Sequence, residues 1–162
     1  MALVARNVLA DCEIAHQLLR KESMESATWR PHWVLCLALL RAVGHVLKKV
    51  DGEDDEKQRA AISAKWNKWK ADVKENRIFW DFIDAERNNV LKEYKFGVEA
   101  EPTYLALEEG GRLLTEEGAP LRLEEDFFRL SHVGFENREG RDVIDEAIKW
   151  WRKQLDAIEA QL

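Results

Sequence analysis

From Ile62 to Tyr94 the chain repeats in alternating steps of four and three residues: Ile62, Trp66, Trp69, Val73, Asn76, Trp80, Ile83, Arg87, Val90 and Tyr94. A seven-residue period is the seam of packed helices, because it keeps one stripe of a helix turned towards a partner. A strand would show a period of two. No proline falls between Asp54 and Glu101, so the repeat predicts one long helix over about Asp55–Phe96, with a break near Glu75–Arg77 as the alternative. Asn76, Arg87 and Tyr94 are the polar or amphipathic members of the stripe. A polar or charged group on a buried face is costly without partners, which makes Arg87 either a structural ion pair or a functional group.

The flanking segments are also helical in pattern. Val4, Val8, Cys12, Ala15, Leu18 and Leu19 predict an amphipathic helix over about Leu3–Glu22. The linker Ser23–Thr28 follows, and Pro31 suits the first turn of a second helix running to about Val50. Trp33, Leu35, Leu37, Leu39, Leu40, Val43 and Leu47 make that helix apolar on most sides, so it is expected to be central and most buried. Gly44 within it points to a close helix–helix approach. Asp51 and Gly52 close it, and Asp54 with Asp55 suits the next helix N-terminus. A last helix is expected over about Gly140–Gln161 from Val143, Ile144, Ala147, Ile148, Trp151, Leu155, Ile158 and Leu162.

Residues 98–138 differ in kind. Pro102, Gly110, Gly111, Gly118, Pro120 and Gly134 punctuate short apolar pieces. Thr103–Leu107 and Arg112–Thr115 flank a Glu-Glu-Gly-Gly turn and suit a small hairpin; Pro120–Leu123 is another strand-like piece. No internal repeat is evident. The expected fold is therefore all-α: an antiparallel bundle of four to five helices with a small irregular or β-hairpin arm, in a single domain over residues 1–162. Of the seven tryptophans, most are expected in the core, with Trp66 and Trp69 as candidates for a flat packing surface.

From a net charge of −6 no general nucleic-acid affinity follows. The average hides an asymmetry: Lys57–Arg77 carries seven basic and two acidic residues, Glu99–Asp126 nine acidic and two basic. Two solvated faces are the first reading, and a nucleic-acid-facing basic stripe the sharper one. Cys12 and Cys36 fit free buried thiols in a reducing compartment. Arg6, Asp11 and Glu13 interrupt any leader-like apolar run, and Trp33–Leu40 is too short to span a bilayer. A cytoplasmic protein without membrane contact is expected.

Candidate metal ligands do not assemble into a set. Glu13 and His16 have a di-iron spacing, but a bundle site needs a second such pair, so an exposed Glu and His are expected. His32 and Cys36 lack completing ligands, and His45 and His132 are lone histidines. There is no nucleophile elbow or phosphate loop. No metal or cofactor is expected.

That leaves the segment Glu86 to Tyr94. Arg87 offers a planar fork of donors suited to phosphate oxygens, and Asn88 adds an amide. On an ideal helix Tyr94 lies about 20° from Arg87, whereas Lys92 is about 140° away and joins only through distortion or a second subunit. Arg87-Asn88-x3-Lys92-x-Tyr94 resembles the motif of the HEPN superfamily, all-helical proteins named for nucleotide binding. Its mark is Arg, often a polar residue, then His four to six residues after the Arg; one bacterial toxin branch reads Arg-x4-His-x-Tyr. The histidine position here is Lys92. The resemblance implies a homodimer with a composite cleft in which Arg87, Lys92 and Tyr94 are the catalytic positions and Arg87 and Asn88 bind the phosphate of RNA or a nucleotide. It implies metal-independent RNA cleavage in active members. In the toxin branch it implies a nucleotidyltransferase partner that attaches AMP to the tyrosine, here Tyr94. Histidine shuttles protons near neutrality; lysine binds phosphate but makes a poor base, so nuclease activity is expected to be weak or lost. The competing expectation is a non-catalytic protein–protein interaction or assembly module that uses the Trp-rich long helix and the acidic arm.

Overall fold

A computed structural model describes residues 3–23, 25–53 and 55–162. It is mainly helical, with a two-stranded antiparallel sheet. Helix α1 spans Ala5–Leu19 and buries Ala5, Leu9, Cys12, Ala15, His16 and Leu19. The stripe is rotated from the expected one: Val4 and Leu18 are exposed, and His16, expected on the surface, is buried with Nε2 at 2.7 Å from the Arg141 carbonyl. Its former partner Glu13 instead accepts from Arg152 at 2.5 Å.

Helix α2 spans Trp29–Val46 and continues through a π-helical turn, Leu47–Asp51. Trp33, Cys36, Leu37, Leu40 and Val43 are its buried side, while Leu35 is exposed, so α2 is central on one face only. Gly44 admits the Trp151 ring, which would lie 3.1 Å from an added Cβ, the close approach that its position suggests.

Helix α3 spans Glu56–Ala71. The Asp55 carboxylate caps it, accepting from the Lys57 and Gln58 amides at 2.8 and 3.3 Å; Asp54 lies outside the described residues. The long helix expected over Asp55–Phe96 is broken at residues 72–76. The polar member of the stripe causes the break: Asn76 is buried, donates to the Asp72 carbonyl at 2.7 Å and accepts from Trp150 Nε1 at 3.2 Å. Its side chain thus replaces helical backbone bonds with local ones. The chain resumes as a composite helix, here α4: Ile78–Asp84 with π spacing, Ala85–Asn88 with α spacing, and Asn89–Glu93 with π spacing again. It ends at Tyr94, whose φ of 53° is left-handed. Trp66 and Trp69 are not a free surface. Together with Phe79, Trp80, Trp150 and Trp151 they form an aromatic cluster joining α3, α4 and the last helix.

Strands β1 (Val98–Glu101) and β2 (Phe127–Leu130) pair with Val98 opposite Leu130 and Ala100 opposite Phe128. Helix α5 spans Gly140–Glu159, capped by Glu139, and buries Val143, Ile144, Ala147, Ile148, Trp151, Leu155 and Ile158 of its expected stripe, while Leu162 lies beyond the helix and is exposed. Between β1 and β2 the chain makes a three-armed pinwheel rather than a single hairpin. Leu113 N donates to Leu105 O, Leu121 N to Leu113 O and Leu105 N to Leu121 O, at 2.9, 2.8 and 3.0 Å, closing a ring. Outside the ring, Leu107 N donates to Gly111 O, Thr115 N to Ala119 O and Leu123 N to Thr103 O. In both sets the first two bonds differ by eight residues and the third closes back to the start of the segment, so the segment does hold an internal repeat: Leu-Ala-Leu-Glu-Glu, Leu-Leu-Thr-Glu-Glu, Leu-Arg-Leu-Glu-Glu.

Candidate functional site

The charged side chain sunk in the apolar face of α4 is Glu86, not Arg87. Phe79, Phe82, Ile83, Glu86 and Val90 form the buried stripe. The i→i+5 bonds of a π turn widen the helix and shift its register against the α period. Arg87 is consequently half-buried, beside the apolar face rather than on it.

Arg87 Nη1 donates to Asn88 Oδ1 at 2.9 Å, and Asn88 Nδ2 donates to Asp84 Oδ2 at 3.3 Å. Asp84 Oδ1 accepts from Arg41 Nε of α2 at 2.8 Å. One turn on from Arg41, His45 feels both guanidinium groups: desolvation first, then Arg41 and Arg87, lower its pKa. The structure therefore brings Arg87 and Asn88 together and adds Arg41, His45 and Asp84 from the α2–α4 contact. It does not bring Lys92 or Tyr94 to them. Lys92 is exposed. Tyr94 is 74% exposed, with its ring edge-on to Phe96 at 5.2 Å. Among the described residues no hydrogen bond or ion pair joins either to Arg87, and Tyr94, at φ 53°, lies past the end of the helix rather than on it.

Glu86 sits in a built cradle. Its carboxylate is fully buried; Oε1 accepts from Trp33 Nε1 at 3.2 Å and from the Gly97 amide at 2.9 Å, and Oε2 lies 3.2 Å from His132 Nδ1. A Cβ at position 97 would stand 2.6 Å from Oε2 and 2.8 Å from His132 Nδ1, so only glycine fits beneath the pair. The sequence reading missed Glu86, Gly97 and His132 as a group. The available signal was Glu86 at three and four residues from Ile83 and Phe82, the spacing of one helical face.

Among the described residues no helix is long and apolar enough to cross a membrane. No family model, curated protein or solved structure matches the chain.

Proposed function

We propose that the chain is a HEPN-like helical protein, a bundle of four to five helices acting as a homodimer that binds the phosphates of RNA or a nucleotide, with nuclease activity weak or lost. One observation carries this reading. Arg87 is half-buried, its recorded hydrogen bond goes to an amide oxygen, and among the described residues it has no carboxylate ion pair. A guanidinium held by a neutral acceptor keeps donors for an anionic oxygen. Asn88 fixes its direction, Arg41 adds positive charge and His45 supplies from α2 the imidazole that position 92 lacks. Lys92 contributes charge at the rim, and the exposed Tyr94 hydroxyl is open to a nucleotidyltransferase. The test is fluorescence anisotropy with a labelled mixed-sequence RNA and cleavage assays alongside. Arg87→Ala is expected to weaken binding roughly tenfold, the loss of one charge-assisted contact. Where a second subunit brings position 92 to Arg87 across the composite cleft, Lys92→His is expected to gain cleavage that Arg87→Ala removes. Equal RNA affinity in wild type and Arg87→Ala would sink the reading.

A second reading, the assembly module, is favoured by the pinwheel arm rather than by the tryptophans, which the core consumes. Leu107, Leu113, Leu121 and Leu123 are 37–51% exposed, and a Glu-Glu pair follows each repeat. An apolar platform fringed by acid suits a basic, apolar partner surface. Leu113→Ser with Leu121→Ser, followed by sedimentation velocity, separates the readings: loss of assembly with RNA binding intact favours the module.

A further inference from the structure

Beside α4, on the side of Gly97 rather than of Arg87, lies a cleft of about 600 Å³ lined by Arg77, Trp80, Asn89, Lys95, Phe96 and His132 among others. That volume is in the range of small-molecule sites. His132 belongs to that lining, and behind it, fully buried, Glu86 completes a Glu86–His132 pair. Four parts of the chain converge on it: Trp33 of α2, Glu86 of α4, the Gly97 backbone, and His132 from the loop after β2. A fully buried carboxylate with an oxygen aimed at an imidazole is expensive to assemble. A purely structural tie would not need the imidazole at a cleft wall, yet His132 lines the cleft and keeps 12% of its side chain exposed. With Nδ1 turned to Glu86, Nε2 is the ring nitrogen left for a ligand.

The remaining lining states the chemistry of that ligand. Trp80 and Phe96 give flat apolar walls. Arg77 and Lys95 bring positive charge and Asp81, also in the lining, one negative charge; Arg77 pairs with Asp81 at 3.2 Å and lies over the Phe135 ring at 5.7 Å, and Lys95 pairs with Glu93 at 2.6 Å. Exposed pairs of this kind are worth about 0–1 kcal/mol and exchange readily for a better anion. Asn89 adds a neutral polar side chain from the α4 wall.

We propose that this cleft is a binding site for a small organic anion with a flat ring, in which Arg77 and Lys95 take the charged group, Trp80 and Phe96 hold the ring, and His132, positioned by Glu86, hydrogen-bonds the anion from the cleft wall. The site is separate from Arg87 and stands whether or not that residue binds phosphate.

Phenyl phosphate is the probe, with inorganic phosphate and phenol carrying one feature each. Titration is followed by NMR at the His132 ring. Phenyl phosphate is expected to give a saturating shift, with either half-probe at least roughly tenfold weaker, since each lacks one set of contacts. Arg77→Ala and Lys95→Ala are each expected to weaken phenyl phosphate binding several-fold; Lys95 is the more exposed of the two and pairs with Glu93, whereas Arg77 also covers Phe135, so Arg77→Lys is measured beside Arg77→Ala. Gly97→Ala is expected to displace the Glu86–His132 pair and abolish the shift. No saturating shift at His132, or phenyl phosphate binding unchanged in both Arg77→Ala and Lys95→Ala, overturns the proposal.

Discussion

At the scale of single residues, the informative charge moved by one position. An ideal α-helical period puts Arg87 on the apolar stripe, and the sequence offers no cue that α4 carries π turns. The burial of Glu86 follows from that register. It has a stability consequence. Glu86→Ala strips the acceptor from Trp33 Nε1 and from the Gly97 amide and leaves His132 without its carboxylate. Leaving those two buried donors unpaired costs about 1–3 kcal/mol, read as a lowered urea midpoint; Glu86→Gln, which keeps an acceptor oxygen, is expected to lose less. His16 supplies a pH test. Burial, the largest cause, lowers its pKa below the ordinary imidazole value. The unfolded chain therefore takes up the proton first. Stability is full above the unfolded value of about 6.5 and falls as pH drops from there through the lowered folded value. Urea midpoints measured across that window should decline in the wild type and flatten in His16→Gln. An unchanged slope in the variant would place the effect elsewhere, with His45, also lowered, as the next residue to replace.

At the scale of elements, α1, α2 and α5 were legible because their apolar residues recur at helical spacing, and α2 also carries a recognisable stop at Asp51 and Gly52. The α3–α4 boundary was half-legible: Asn76 marked a fault in the stripe, and the break near Glu75–Arg77 was the alternative to one long helix. Local bonding decided it, since Asn76 serves both Asp72 and Trp150. Asn76→Ala removes both bonds and is expected to cost about 1–3 kcal/mol, the price of orphaned buried groups, measured by chemical denaturation. The pinwheel was not legible as a repeat because its eight-residue units share only leucines and paired glutamates, and each ladder is two bonds deep. Its turns are testable. Gly118 has φ +82° with open space around the Cβ position, so Gly118→Ala is penalised by backbone strain alone, about 1 kcal/mol. Hydrogen exchange should quicken at the Thr115 and Leu121 amides of the arm and stay unchanged in α5.

At the scale of the whole molecule, the separation of charge seen in the sequence becomes a surface made by two elements. Lys65 and Lys68 of α3 and Lys153 of α5 line one cleft with Trp69 and Trp150, and Asp72 and Glu75 set two carboxylates in the same lining, leaving a net charge of one positive. None of the three lysines has an ion pair among the described residues, whereas Lys149 and Arg152 of α5 are held by Asp145 and Glu13. The acidic half of the asymmetry is carried off on the arm, away from that face in sequence and in bonding. A net charge of −6 therefore does not prevent a local attraction for a phosphate backbone, because screening limits the reach of the acidic residues to about 8–10 Å. If RNA bound at Arg87 also runs across this cleft, each lysine releases counterions, and the plot of log affinity against log salt should flatten by about 0.7 for each lysine removed. The measurement is anisotropy with single-stranded RNA over a salt series for wild type, Lys68→Ala and Lys65→Ala with Lys68→Ala. A slope that stays constant while Arg87→Ala still weakens binding would confine the RNA to the α2–α4 face and leave the basic cleft to another partner.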